Sequence, residues 1–300
     1  MSTKKNKQSF IKDGYIQSPK LFDSKKCKSI SVKLEKKFNL KNIFLSENEF
    51  LNNKIKIKKK KKNILSELNL NFIIKNKNFQ KLLESILGKN YYLYASRAIC
   101  GVPARHIPEW IKDKMIVNSP NLNLFIKEKF KSMRYFNGID YHMDLIDFKK
   151  EKSDFVTVYV YLDKVTKNMS PLNLLLGSHY GGAQTFPHKI LKKNDDYIYY
   201  FDNKRIFSKK KKLIGCSGDT WIWHGCLLHG SEFNISKVPR FSLRFIFRKG
   251  KKNSQNDTLI YEVNSNIKNI TAKSKMSDYK KYRKYYNSKF ESTRKKILIN

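Results

Sequence analysis

The spacing of apolar and polar residues changes partway along the 300-residue chain. Residues 1–90 are mostly polar and carry a helical period. The segment 9–38 has a short apolar start and a turn at Asp13-Gly14. A helix is expected from about Ser24, with Cys27, Ile30, Val32, Leu34 and Phe38 roughly on one face. A clearer helix is predicted over 78–90. There Phe79, Leu82, Leu83, Ile86 and Leu87 recur at helical spacing, and Gly88 stands where a helix-ending glycine belongs. From about residue 91 the period falls to two. In "DFVTVYVYLD" (154–163), Val156, Val158 and Val160 alternate with Thr157, Tyr159 and Tyr161, a strand pattern in β-branched and aromatic residues. Residues 218–230 and 239–250 predict two more strands, separated by a polar turn around Asn234–Lys237. The lysine runs 54–63 and 209–212 are expected to be exposed loops. Many short strands joined by Gly, Pro and Asn turns predict a mainly β protein, a sandwich or jelly roll with N-terminal helical elements packed on one side. The expected division is one domain over 1–250, with a helical part at about 9–90 and a jelly-roll core at about 91–250. The tail 251–300 is expected to carry an amphipathic helix at 277–290, with Tyr279, Tyr282, Tyr286 and Phe290 on one face and Ser277 at its start.

Charge alters this picture less than its size suggests. The formal net charge is +38, but nine arginines stand against 54 lysines. Lys, Asn, Ile, Phe and Tyr are what AT-rich codons encode, and the lysines are spread along the whole chain. No zinc-finger spacing, RNA-binding aromatic signature or arginine-rich helix accompanies them. A solvated lysine coat is therefore expected, with no specific nucleic-acid partner. The four cysteines, Cys27, Cys100, Cys216 and Cys226, form no CxxC pair, so they are read as free thiols of a reduced cytoplasmic protein. The N-terminus leads into no apolar core of a signal peptide. No segment approaches the roughly 18 apolar residues of a membrane span.

Six histidines carry the candidate chemistry: His106, His142, His179, His188, His224 and His229. His142 lies in "GIDYHMDLID", between Asp140 and Asp144. On a strand, residues two apart share a face, so either aspartate would join His142 at one point. Two histidines and one carboxylate on one face of an octahedral metal leave three positions open, as in non-haem Fe(II) oxygenases. His229 comes 87 residues later, and Arg240 eleven residues after that. If a strand ends near His229 and the next begins near Arg240, a hairpin brings them together, with Arg240 and Ser242 on one face. A guanidinium beside a hydroxyl suits an organic carboxylate. Because arginine is scarce here, Arg240 is more readily explained by its geometry than by charge alone; Arg134, Arg244 and Arg248 share the argument less strongly. His224 is expected in core or turn packing. His179 is expected in hydrogen bonds that hold its loop, with a place at the border of a pocket as the alternative. His106 and His188 are expected at the surface, and Trp221 and Trp223 in the core.

Taken in order, these features resemble the phytanoyl-CoA dioxygenase family of Fe(II)- and 2-oxoglutarate-dependent oxygenases, over roughly residues 9–250. "FIKDGYIQSPKLFDSKKCKSI" resembles the family's opening strand, Gly turn and first helix, and "ILGKNYYLYASRAI" its helix-then-strand segment. "YHMD" matches the His-x-Asp motif. "VYVYLDKVTKNMSPLNLLLGSH" resembles the strand, polar turn and Gly-Ser-His of the family, and "GDTWIWHGCLLHGSEFN" carries the distal histidine. The resemblance implies a double-stranded β-helix core. It implies that His142, Asp144 and His229 bind Fe(II), which settles the choice of aspartate and leaves Asp140 a supporting or rim position. It further implies that Arg240, helped by Ser242, binds the distal carboxylate of 2-oxoglutarate. Dioxygen would then be consumed with release of succinate and CO2, and an unactivated C–H of a small metabolite or acyl derivative hydroxylated. Asp144 argues against halogenation, which uses a small residue in its place. "NMSPLN" departs from the family's usual Asn-Gly-Pro, and the lysine-rich insertions are extra. Two other readings compete: a basic nucleic-acid-binding protein without catalysis, and a cupin-type metal enzyme that does not use 2-oxoglutarate and has no need of Arg240 and Ser242.

Overall fold

The computed structural model describes residues 3–52, 63–112, 121–184, 188–250 and 258–273. The expected loop at 54–62 and the expected helix at 277–290 lie outside them.

Twelve strands form two six-stranded sheets that face each other. They are β1 (Tyr15–Ser18), β2 (Tyr91–Gly101), β3 (Arg134–Phe136), β4 (Ile139–His142), β5 (Phe155–Tyr161) and β6 (Leu172–Leu175), then β7 (Lys189–Lys193), β8 (Asp196–Phe201), β9 (Lys204–Lys212), β10 (Thr220–His224), β11 (His229–Ser231) and β12 (Arg240–Lys249). The first sheet runs β1-β10-β5-β12-β2-β3 and the second β4-β11-β6-β9-β8-β7. Every pairing is antiparallel except β2 with β3. This is the jelly-roll core that the alternating pattern predicts.

Period two gives the first sheet two different faces. Val156, Val158, Val160, Ile222, Leu243 and Phe245 point outward into one apolar cluster, with helix residues such as Leu34, Phe79 and Leu83. Those belong to α2 (Ser24–Lys37) and α3 (Lys77–Leu87), which come after α1 (Thr3–Asp13). The inner face carries Tyr159, Tyr161, Trp221 and Trp223, which pack with Leu172 and Leu174 of the second sheet. β5 is therefore buried at all seven positions. Helix α3 is capped by the Asn76 side chain at Phe79 N–H and ends at Gly88, whose φ of +85° suits glycine.

Four expectations are corrected. The short apolar start is a helix, α1, and the opening strand comes after Gly14 rather than before it. Val32 is exposed, off the buried stripe of α2. Lys209–Lys212 is not a loop. It closes β9, because Ser208 turns inward while Lys210 and Lys212 reach Glu232 at 3.0 and 2.8 Å, so long stems let lysines occupy a strand. Finally, 218–230 is two strands, not one. The chain leaves the first sheet after His224 and enters the second at His229, so β11 and β12 belong to opposite sheets and form no hairpin. Among the described residues, no helix is long and apolar enough to cross a membrane.

Candidate functional site

The two sheets meet around His142 and His229. His142 ends β4, His229 begins β11, and the two are directly paired in register. Their rings therefore lie side by side, with centroids 4.3 Å apart. The register shifts between His229 and Ser231, a bulge at which Gly230 lies so close to β4 that a Cβ would sit 2.6 Å from the Ile139 carbonyl oxygen. The Nδ1 atoms are both held by backbone: His142 Nδ1 lies 2.8 Å from the Asp140 carbonyl oxygen and His229 Nδ1 lies 3.0 Å from that of Leu227. A carbonyl only accepts, so each Nδ1 carries the proton and each Nε2 keeps its lone pair. Burial lowers His229 to about 4, with Asp144 acting against that shift, so the imidazole is neutral at pH 7.

Asp144 completes the cluster by a different route from the one its spacing suggests. The strand stops at His142, and Asp144 opens a short 3-10 turn (Asp144–Asp147). The turn sends its carboxylate into the protein, where it is 2% exposed. Oδ2 accepts hydrogen bonds from the Thr157 hydroxyl and, at 3.0 Å, from Trp223 Nε1. Oδ1 lies 3.7 Å from His229 Nε2 and pairs with the Arg244 guanidinium. Burial alone would raise this carboxyl, but Arg244, His229, His142 and the Thr157 hydroxyl outweigh it and hold it well below the usual carboxylate range. Ligand atoms of His142, Asp144 and His229 all fall within 4.8 Å of one another. Two imidazole nitrogens and one carboxylate oxygen fit a divalent iron-type ion and leave coordination positions open. Asp140 supplies the backbone carbonyl that orients His142.

Across the cavity, β12 presents Arg240, Ser242 and Arg244 on its inner face. Arg240 is 1% exposed and has no carboxylate partner among the described residues. Its Nη1 donates to the Tyr159 hydroxyl at 2.8 Å and to Ser242 Oγ at 3.3 Å, while its Nε has no partner. The Tyr159 and Tyr161 rings lie 5.7 and 6.0 Å from its guanidinium. Gly101 sits opposite in register and is required to be small, since a Cβ there would lie 3.1 Å from Arg240 Nε. A buried, incompletely partnered guanidinium has the chemistry to pair with the carboxylate of a small organic acid.

Thus the structure brings His142, Asp144 and His229 together, and it places Arg240 beside Ser242 on the facing wall. The hairpin expected to deliver Arg240 does not exist; the two walls of a jelly roll do that work. Sequence reasoning gave no site role to Thr157, Trp223 and Tyr159, and gave Arg244 only a weaker share of the Arg240 argument. Period two on β5, β10 and β12 puts all four on the inner face, and that signal was available. Trp223 is in the core as expected, with an indole N–H that also holds Asp144. His224 is buried between Asn264 Oδ1 at 3.0 Å and the Cys226 N–H at 3.2 Å, as its packing role requires. His179 bonds to the Ile11 carbonyl oxygen at 3.1 Å and so ties its loop to α1. Ser178 in the same loop accepts from Leu228 N–H at 2.9 Å, just ahead of His229. Two surface expectations fail. His106 is half-buried beside Arg105 at 3.2 Å. His188 is half-buried with its ring 5.8 Å from that of Tyr199, and burial is the main cause that lowers its pKa.

A family model, phytanoyl-CoA dioxygenase (PhyH), matches residues 10–242. No curated protein matches the chain in sequence. Among solved structures, EvdO2 from Micromonospora carbonacea var. aurantiaca complexed with 2-oxoglutarate aligns with a TM-score of 0.52 at 11% identity, covering 83% of this chain and 92% of that one. The epimerase SnoN, in complex with Fe3+, alpha ketoglutarate and nogalamycin RO, aligns with a TM-score of 0.50 at 12% identity, covering 82% and 83%. At these identities the likeness speaks for the fold.

Proposed function

Because the chain belongs to the phytanoyl-CoA dioxygenase family, we propose that His142, Asp144 and His229 hold iron(II), and that Arg240 with Ser242 holds the far carboxylate of 2-oxoglutarate. The protein is a 2-oxoglutarate-dependent oxygenase. The finer reading is hydroxylation of an unactivated C–H bond in a small metabolite or acyl derivative. When bound, the metal supplies the coupling of dioxygen to 2-oxoglutarate, with succinate and CO2 released.

The chain's own contribution is positioning. Backbone carbonyls turn both Nε2 atoms toward one point. Thr157 and Trp223 hold Oδ2 of Asp144, while Oδ1, which also pairs with Arg244, faces His229 Nε2 at 3.7 Å and is the oxygen on the metal side. Tyr159, Tyr161, Trp221 and Trp223 exclude water from the wall behind the site.

The observation that carries this reading is Arg240: a guanidinium buried on the cavity wall with no carboxylate among the described residues to neutralise it. A metal enzyme that did not use 2-oxoglutarate would leave that charge unexplained. In a succinate-release screen against metabolite pools, Asp144→Ala or His229→Ala is expected to abolish substrate-dependent turnover. Arg240→Gln should raise KM for 2-oxoglutarate about tenfold or more, the loss of a charge-assisted bond, and leave KM for the primary substrate nearly unchanged. Wild-type turnover in Asp144→Ala would refute the metal assignment.

A further inference from the structure

Three arginines on the inner face of the first sheet are left over once the iron and 2-oxoglutarate positions are filled. Arg244 of β12 pairs in register with Arg97 of β2, and residues opposite each other on antiparallel strands share a face. Ile99, two residues from Arg97, pairs with Arg134 of β3. Tyr135 packs outward against the helices, so its neighbour Arg134 faces inward with the other two. Arg97 is a near neighbour of both: Arg134 and Arg244 each act electrostatically on it, after burial the largest influences, and both lower its pKa.

Arg244 is neutralised by Asp144. The other two are not neutralised. Among the described residues, Arg97 donates only to the Ser96 carbonyl oxygen at 2.7 Å, and neither Arg97 nor Arg134 meets a carboxylate. Both are open to solvent, at the margin of the inner face beside Arg244, which reaches Asp144. Base composition does not account for them, since it favours lysine and the chain holds only nine arginines. Like charges on adjacent strands repel, and an arrangement that keeps two forked guanidiniums together suits an oxyanion bridging them.

We infer that Arg97 and Arg134 form a docking site for an oxyanion, a carboxylate or a phosphate, carried by the primary substrate. The proposal rests on the oxygenase reading, because it places this anion at the mouth of the iron site. It makes the primary substrate an anionic molecule whose reacting carbon lies inward of its charged end. Arg97 and Arg134 are specificity-determining here and touch no reacting atom.

The test uses iron(II)-loaded protein under argon, where no turnover occurs. A calorimetric titration with 2-oxoglutarate comes first. Failure of the wild type to bind it would overturn the oxygenase reading, whatever the anion titrations show. The loaded protein is then titrated with inorganic phosphate and, separately, with octanoate. At least one is expected to bind at one equivalent, and the stronger of the two distinguishes a phosphate-bearing from a carboxylate-bearing substrate. Arg97→Gln and Arg134→Gln should each weaken that binding about tenfold, leave 2-oxoglutarate affinity within about twofold, and leave the melting profile intact. Lys192→Gln on exposed β7 should change nothing. The inference is overturned if neither anion binds, if Lys192→Gln weakens binding as much as the arginine variants, or if the arginine variants lose 2-oxoglutarate instead.

Discussion

Thr157→Val isolates one hydrogen bond to the proposed iron ligand. Valine keeps the β-branched shape and replaces the hydroxyl by a methyl of similar size at a fully buried position, so the change falls on the hydrogen bond rather than on shape. The lost group donates to Asp144 Oδ2, whose second donor, Trp223 Nε1, remains at 3.0 Å. The carboxylate is therefore held less firmly, by Trp223 at Oδ2 and Arg244 at Oδ1, but it is not orphaned. A hydrogen bond to a charged acceptor contributes about 1.5–3 kcal/mol, which corresponds to roughly 10- to 100-fold in iron affinity, the range expected when a group supporting a metal ligand is removed. Because Trp223 persists, the lower end applies: about tenfold. The assay is anaerobic titration with iron(II), read by the quenching of tryptophan fluorescence that Trp223 should report. Thr157→Ser retains the hydroxyl and should bind iron within about threefold of wild type, on the same energy scale. If valine and serine variants bind alike, the hydroxyl does not position the ligand. If Thr157→Val binds iron as wild type does, Oδ2 is not held in the way described.

Two other outcomes come from buried geometry. Gly101→Ala puts a methyl against Arg240 Nε, so it should raise KM for 2-oxoglutarate severalfold while melting falls by only about 1–3 kcal/mol of stability; an unchanged KM would show that Arg240 does not need its observed position. His179 and His224 are held neutral by burial, at about 3 and about 4 against an ordinary 6.5. The unfolded chain then binds more protons than the folded one below pH 6.5, so their contribution to stability is complete above 6.5 and is lost as pH falls toward 4. The melting temperature should drop across that window, and His224→Asn should flatten the drop; the same slope in the variant would count against the assignment.

The candidate site was largely legible because its chemistry is written in rare residues at fixed separations. His142, His229 and Arg240 stood out because histidines are few and arginines scarcer than lysines, and the family resemblance chose Asp144 over Asp140. The route by which they meet was not legible. Period two gave Asp140 and Asp144 equal standing, and only a 3-10 turn after His142, a feature with no sequence period, delivers Asp144 inward. The run 218–230 reads as one apolar strand because both halves are buried; the change of sheet at Gly225–Leu228 leaves hydrophobicity unbroken. Lys209–Lys212 misled in the opposite sense, since four lysines look like a loop until Glu232 is brought beside them from another strand. The +38 charge stood outside all of this. Arg240 and Arg244, on the inner face of β12, bear on the candidate site more directly than the lysines do.

The register of His142 with His229 also has a meaning for how the molecule is made. The two residues are 87 positions apart, and their strands lie at one margin of the second sheet. A slip of one residue would turn one imidazole to the opposite face. No local segment, and no partly paired intermediate, can present both nitrogens to one ion. A complete set of ligand atoms therefore requires this long-range pairing to be closed, a contact whose chain-entropy cost grows with the 87 residues between its ends. An ion bound there would fasten β4 to β11 and, through Asp144, to Thr157 and Trp223 of the other sheet. It would act as a rivet between two layers of the barrel as much as a reagent.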